Sequence, residues 1–390
     1  MRNTETLPAP VSRAVRISRR QFIKIAAAAA GLLAGCRSAQ PTPPPTGQPS
    51  IQPTTQTSIQ PTTPPTITPM PTSTGRRPDI IQMYPDVPSK VVHTHHAGVW
   101  NGETLVPEAI RHVLDASITR LTGLDDPAQA WAALFDPGER IAIKVNSYGG
   151  SFSGSRVFTH VPLVAVVAQS LQDVGVPAEQ IFVYDFVTSD LEGAGYSINR
   201  AGPGVQCYGT APDWEEEGDY TAGWTLLGGE IGLSNILLHC DALINVPVLK
   251  THGIAGLTFA LKSHYGTFDR PWDYHGENVL RGIAGVNALP PIKDRTRLII
   301  GDVLEAACFK GAQGWPDWNL VVKGDSILMS FDPVALDAVG LQLACQLAAE
   351  NGEDAGVERL MTNALLTLGA ELGLGTDNLD NIDLTEINLA

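Results

Sequence analysis

The chain has 390 residues and a formal charge of −15, from 26 basic and 41 acidic side chains. Six of the basic residues and one acidic residue precede Cys36, so the remainder carries 20 basic and 40 acidic side chains. Such an acidic surface repels phosphate backbones, which argues against nucleic acid as a partner. The first part of the chain has no packing pattern, and the roughly 315 residues that follow are enough for one large α/β domain.

Residues 1–35 have the pattern of a twin-arginine lipoprotein signal peptide. The segment SRRQFIK at 18–24 resembles the twin-arginine export motif, and the apolar run that follows is too short to span a bilayer. The run ends in LAGC at 33–36, which resembles a lipobox, so Cys36 is predicted to accept the lipid. We therefore expect two partners, the twin-arginine export machinery and the membrane. The protein would be anchored on the periplasmic or exterior face.

Residues 36–78 are predicted to form a disordered linker. Within 41–75 there are 11 Pro and 11 Thr in 35 residues, so nothing in this segment can bury a core. Proline favours an extended chain, and at about 3.1 Å per residue such a stalk reaches roughly 100 Å. The linker would hold the following domain away from the membrane.

Residues 79–390 alternate between apolar strand patterns and helical patterns. This alternation predicts an α/β domain with a mainly parallel central sheet flanked by helices. The predicted helices cover 106–121, 128–135, 162–174, 234–239 and 333 to about 349. The predicted strands cover 140–145, 181–184, 242–246 and 298–300.

Polar side chains follow four of these apolar strands. Ligands bind beyond the carboxyl ends of the strands in open parallel sheets, so we expect these side chains to converge. Lys250 and His252 would point to the same side of an extended segment. The candidates are Lys144, Asn146, Asp185, Lys250, His252 and Asp302. The alternative is that each residue only marks a strand leaving the core.

Two further residues extend this candidate site. Lys262 supplies a third lysine, and three lysines facing aspartates suit a carboxylate or phosphate ligand, or proton transfer. Surface salt bridges are the alternative. Asp337 lies in a helix that is apolar nearly all round, so its carboxylate should meet a cation, a metal or a ligand. We predict catalytic roles for Lys144, Lys250, Lys262 and His252, and ligand-binding roles for Asn146, Asp185, Asp302 and Asp337.

Two other motifs could bind a cofactor, but they do not identify it. His93 and His95 would lie on one side of a strand, and a metal ion is one explanation of that spacing. The glycine-rich segment at 148–154 can wrap an anion through its backbone N–H groups, or be only a loop. The cofactor is therefore unknown, with a metal ion as one candidate.

The order of these motifs resembles the domain-of-unknown-function family 362 over roughly residues 90–347. The resemblance rests on IAIKVN at 141–146, Thr159-His160, NVPVLKTH at 245–252, LKSHYG at 261–266 and FDPVALD at 331–337. It implies no established activity. Some members carry an iron–sulfur module, but this chain has five cysteines without a cluster, so an iron–sulfur cluster is not supported. The sequence does not decide whether two of the cysteines form a disulfide.

Two functions remain in competition. The first is an enzyme or cofactor-dependent protein that acts on a small anionic molecule at the Lys/His/Asp site. The second is a lipoprotein that binds a solute or a surface without catalysis. The anchor and linker suit both.

Overall fold

The computed structural model describes residues 77, 79–151, 157–309, 317, 320–353 and 364–390. The predicted signal peptide, Cys36 and nearly all of the predicted linker lie outside the described residues. The described part is an α/β structure with a mainly parallel central sheet between two layers of helices, as the alternating pattern predicts.

The central sheet takes its strands from the whole described chain. Neighbouring strands in the sheet follow the order β14-β1-β13-β12-β9-β4-β5-β6. In addition, β10 pairs with β12, and β11 pairs with β10. The strands are β1 (Ser89–His96), β4 (Ile141–Val145), β5 (Ile181–Tyr184), β6 (Gln206–Cys207), β9 (Ala242–Val246), β10 (Val248–His252), β11 (Gly256–Thr258), β12 (Thr296–Ala307), β13 (Val322–Ser330) and β14 (Ile382–Leu389). Two small hairpins join β2 (Trp100–Asn101) to β3 (Thr104–Leu105) and β7 (Tyr220–Leu226) to β8 (Gly229–Ser234).

The strands that carry the predicted site residues are parallel. β5, β4, β9 and β12 lie side by side in the same direction, and β10 is parallel to the second half of β12. Only β13 and β11 run against their neighbours in the main sheet. The carboxyl ends of β4, β5 and β9 therefore meet at one edge, as expected for a parallel sheet.

Helices cover both faces of the sheet. One layer holds α1 (Pro107–Thr122), α2 (Pro127–Leu134), α3 (Val161–Asp173) and α4 (Thr188–Gly193). The other holds α5 (Asn235–Leu238), α6 (Ala260–Ser263), α7 (Val279–Asn287), α8 (Pro290–Lys293), α9 (Pro333–Glu350) and α10 (Ala364–Glu371). Local signals set several ends: α1 stops at Gly123, which has a φ of 76°, and Asp332 accepts from two N–H groups at the start of α9.

Alternation along the strands decides which layer each site residue faces. In β4, Ile141 and Ile143 pack under the α1–α4 layer, while Ala142 packs under the opposite layer. Lys144 is two residues beyond Ala142 and so faces the α5–α10 layer. In β12, Ile300 and Leu304 belong to the α1–α4 side, and Asp302 between them faces that side as well.

Two negative findings apply to the described residues. No helix in this part of the chain is long and apolar enough to cross a membrane. No disulfide joins the cysteines in it, at positions 207, 240, 308 and 345.

Candidate functional site

A buried ion pair stands at the ends of two adjacent parallel strands. Lys144 at the end of β4 donates from Nζ to Asp185 Oδ1 over 2.6 Å and to the carbonyl of Val145 over 2.6 Å. Ser147 donates to Asp185 Oδ2 from its backbone N over 2.7 Å and from its Oγ over 2.8 Å. Burial lowers the pKa of Lys144, and the charge of Asp185 opposes that effect. The ion pair of Lys144 and Asp185 is therefore held in one position at the base of the site.

A tight turn of residues 262–266 covers this pair. At Gly266 a Cβ atom would overlap Asp185 Oδ1 and lie 3.0 Å from Lys144 Nζ. Only a residue without a side chain allows the backbone to come so close. The segment LKSHYG therefore contacts IKVN directly, although more than a hundred residues separate them.

Buried polar side chains hold the α6 segment that leads into this turn. Asp337 accepts hydrogen bonds from the backbone N of Ala260 over 2.7 Å and of Leu261 over 3.1 Å. Burial raises the pKa of Asp337 to about 7, and these two N–H groups act against the rise. Asn245 donates from Nδ2 to the carbonyl of Ala260 over 2.9 Å. In the structure Asp337 thus meets backbone N–H groups rather than a cation.

Lys250 extends over the same edge from β10. It is 1% exposed, and its Nζ donates to the carbonyl of Val157 over 3.2 Å. Burial is the main reason that its pKa falls to about 7, and the charge of Lys262 adds to the fall. Asp185 opposes the shift only in part. A lysine in this state can carry or release a proton near neutral pH.

Lys262 is the most accessible of the three lysines. It is partly exposed, and its Nζ lies 5.3 Å from the centre of the Tyr265 ring. The residues that the structure describes give its ammonium group no hydrogen bond and no ion pair. Burial and the charge of Lys144 lower its pKa to about 8. A lysine that is partly exposed and lacks a charged partner among the described residues is suited to contact a ligand.

Three histidines surround the lysines and stay neutral. Burial and the nearby lysines lower the pKa of His264 and of His275 to about 3, and they push the pKa of His252 well below its ordinary value. His252 Nδ1 accepts from the backbone N of Ala255 over 3.0 Å. Its proton is therefore on Nε2, which faces away from that backbone contact.

Asn146 adds an amide to the edge above Lys144. Its backbone is fixed by Thr159, whose Oγ accepts from Asn146 N over 2.9 Å. Asn146 is 8% exposed, and its Oδ1 has no hydrogen-bond partner among the described residues. A buried amide oxygen without a partner costs free energy, about 1–3 kcal/mol, so a bound molecule or water is expected to pair with it.

The glycine-rich loop after Asn146 binds a carboxylate of the same chain, that of Asp190. Asp190 accepts from the backbone N of Gly149 and of Ser151, each over 3.0 Å. These N–H groups are therefore occupied by a carboxylate within the fold.

Asp302 is separate from the lysine cluster. Its Oδ2 accepts from His160 through the backbone N and contacts His160 Nδ1, both at 2.8 Å. Burial would lower the pKa of His160, but Asp302 and Glu305 raise it to about 10, so the ring is an imidazolium ion. The sequence prediction placed Asp302 with the lysines, and the structure places it against His160 on the other face. In the sequence, the segment Thr159-His160-Val161-Pro162 at the start of α3 was the feature that could have pointed to His160.

The possible metal ligands do not gather in the described part of the chain. Within it, no group of three or more His, Cys, Asp or Glu side chains lies close enough to hold a metal ion. His93 instead contacts Glu386 at 3.8 Å across the β1–β14 pair. The roles predicted for the site residues remain predictions.

The fold and this edge define an α/β protein with a buried lysine cluster at the carboxyl ends of parallel strands. The chain belongs to the family described as domain of unknown function (DUF362), whose profile matches residues 141–342. That match includes every predicted catalytic and ligand-binding residue. No curated protein matches the chain.

Two solved structures are similar at low identity. The lactate racemase apoprotein from Thermoanaerobacterium thermosaccharolyticum is 9% identical, with a TM-score of 0.39 and coverage of 69% of this chain. A protein from Thermotoga maritima is 12% identical, with a TM-score of 0.40 and coverage of 64% of this chain. The chain spans 58% and 61% of the lengths of these two proteins.

Proposed function

We propose that this protein binds a small anionic molecule, a carboxylate or a phosphate, at the lysine cluster formed by Lys144, Lys250 and Lys262. The observation that carries the proposal is Lys262, a partly exposed residue whose ammonium group has no hydrogen bond and no ion pair among the described residues. Burying several ammonium groups around one ion pair is unfavourable unless a further negative charge enters. A bound anion supplies that charge.

The three lysines would divide the work. Lys144 is held by Asp185, and this ion pair forms the base of the site. Lys262 meets the ligand directly, and Asn146 offers an unpaired amide oxygen to a hydroxyl or protonated oxygen of the same ligand. Lys250, with a pKa of about 7, is suited to accept or donate a proton. We propose an enzyme that moves a proton on its anionic substrate.

The location of this site in the cell is also a proposal. The twin-arginine motif, the lipobox at Cys36 and the Pro/Thr-rich segment support an exported protein that is tethered by lipid. The site would then meet molecules outside the cytoplasm. Membrane and export machinery are its proposed partners, and nucleic acid is not.

Calorimetric titration of the full chain in detergent tests the anion site. Inorganic phosphate and glycolate serve as probes, each titrated into wild type, Lys262→Met and Lys90→Met. Lys90 is an exposed lysine outside the site. We expect Lys262→Met to weaken binding at least about tenfold, since a charge-assisted hydrogen bond contributes 1.5–3 kcal/mol. Lys90→Met should bind as wild type does.

The same titration separates the alternatives. Equal affinity of the folded Lys262→Met variant and wild type would refute the anion site. Tight binding with no proton uptake or release between buffers of different ionisation enthalpy would favour the non-catalytic solute-binding function. Proton exchange that disappears in Lys250→Met would support proton transfer.

A further inference from the structure

Lys262 differs from the other two lysines of the cluster in its access. Lys144 and Lys250 are each 1% exposed and donate hydrogen bonds, to Asp185 and Val157 respectively. Lys262 is partly exposed, its Nζ lies 5.3 Å from the centre of the Tyr265 ring, and the described residues give this amine no hydrogen bond and no ion pair. Of the three residues, Lys262 is therefore the one with surface that an incoming molecule can contact.

We propose that Lys262 is a nucleophile that forms an imine with a small 2-oxo acid, an inference that rests on the anion site proposed above. The neutral amine attacks the carbonyl carbon, and a carbon–nitrogen double bond replaces the carbon–oxygen double bond. The two amine protons leave with the carbonyl oxygen as one water molecule. No oxidant, reductant or further reactant is needed.

The surroundings of Lys262 match both ends of such a ligand. A carbonyl next to a carboxylate lets the amine reach the carbonyl carbon while the carboxylate faces the remaining positive charge of Lys144 and Lys250. The charge of Lys144 acts on Lys262, and that of Lys262 acts on Lys250, so the three groups lie within mutual electrostatic reach. A lysine beside other cations in a buried site is a recognised way to obtain a nucleophilic amine.

The protonation states of the neighbours are compatible with the attack. Burial and Lys144 lower the pKa of Lys262 from 10.5 to about 8, which gives on the order of a hundredfold more free amine at neutral pH. The titratable groups that act on Lys262 or face it are Lys144, Lys250, His252, His275 and Tyr265. Among these, Lys250 can protonate the departing oxygen, since its pKa is about 7.

Reductive trapping tests this assignment on the wild-type full chain in detergent. Glyoxylate is added at neutral pH with cyanoborohydride, which reduces an imine to a stable secondary amine, and peptide mass spectrometry locates each adduct. We expect the fastest adduct at Lys262, formed at least about tenfold faster than at the exposed Lys90, because the lowered pKa of Lys262 leaves more of its amine unprotonated. Acetaldehyde, which lacks the carboxylate, should lose most of this preference.

Two variants and one competitor complete the test. Lys262→Arg keeps the charge and should give no adduct at position 262, with phosphate binding retained. Phosphate should slow trapping of wild type by glyoxylate. Equal labelling of Lys90 and Lys262, or labelling of Lys250 in place of Lys262, would overturn the proposal. Normal phosphate binding with no trapping at Lys262 would refute the imine and leave the anion site standing.

Discussion

Gly266 lies against Asp185 so closely that a single added methyl group would overlap the carboxylate Oδ1. This contact joins two distant segments of sequence, because Asp185 directly follows β5 and Gly266 ends the turn that carries Lys262. The position of the accessible lysine is therefore set by a backbone that rests on the ion pair. Any change at this contact should affect both stability and ligand binding.

Replacing Gly266 with Ala tests the contact. The new methyl group would push apart Gly266 and the pair of Lys144 with Asp185, so we expect a loss of about 1–3 kcal/mol, typical of an overpacked core. Phosphate affinity should fall as well, because Lys262 moves with the turn. Gly276→Ala is the matched control, since a Cβ at Gly276 meets nothing within 4 Å. Urea denaturation of both variants checks the prediction, and equal stabilities would contradict it.

The buried ion pair predicts an asymmetric response to mutation. Asp185→Asn leaves the charge of Lys144 buried without its counter-charge, so we expect a loss of about 3–5 kcal/mol in the free energy of unfolding. The double variant Lys144→Met with Asp185→Asn should recover part of that loss. Asp173→Asn, in a more exposed pair with Arg111, should cost about 0–1 kcal/mol. A cost for Asp185→Asn as small as that for Asp173→Asn would show that the pair is not critical.

Acid should weaken the fold through His264. Its pKa in the folded protein is about 3, well below the ordinary 6.5, so the unfolded chain takes up the proton first as pH falls. The stabilising contribution is complete above pH 6.5 and is lost between pH 6.5 and pH 3. At pH 5 this one residue should cost about 2 kcal/mol relative to neutral pH.

His264→Gln should therefore flatten the dependence of stability on pH between 7 and 5. His239→Gln, at an exposed histidine, serves as the control and should keep the slope of wild type. Denaturant titrations at several pH values give both slopes. A His264→Gln variant with the full wild-type slope would assign the acid sensitivity to other groups.

The proposed lipid tether gives a prediction in cells. Cys36→Ser removes the thiol that would accept the lipid, so the exported protein should move from the membrane fraction to the soluble fraction. Replacing Arg19 and Arg20 together with Lys should prevent export and leave the precursor inside the cell. Fractionation and immunoblotting check both outcomes. Unchanged membrane attachment of Cys36→Ser would contradict lipid anchoring at this residue.

Much of the fold follows from local patterns in the sequence. The strands Ile181–Tyr184 and Ala242–Val246 have the predicted bounds, and the helix Val161–Asp173 is displaced by one residue from the prediction. These elements are short apolar runs or helices with clear start and stop signals. The antiparallel β13 and the C-terminal β14 were not predicted, because strands at the far side of a sheet depend on long-range pairing.

The candidate site was predictable only in part. Lys144 and Asp185 meet because the parallel strands β4 and β5 place their carboxyl ends together, whereas Lys262 reaches them from α6. Asp302 went to the other face because β12 runs on from Thr296 to Ala307, and alternation within that long strand decides its direction. Asp337 required a partner, as its buried helix predicted, but the partner is the backbone of α6. The role of Gly266 depends on a contact that no local pattern reveals.

If the lysine cluster binds an anion, the lysines themselves can report the binding. NMR of the full chain with 13C-labelled lysine Cε follows each ammonium group while inorganic phosphate is added, with Lys262→Met, Lys250→Met and Lys90→Met used for assignment. We predict saturable shifts at Lys262 and Lys250, and a rise in the pKa of Lys262 above about 8, because a bound anion favours the charged form. Signals from Lys262 and Lys250 that move no more than the signal of Lys90 would contradict it.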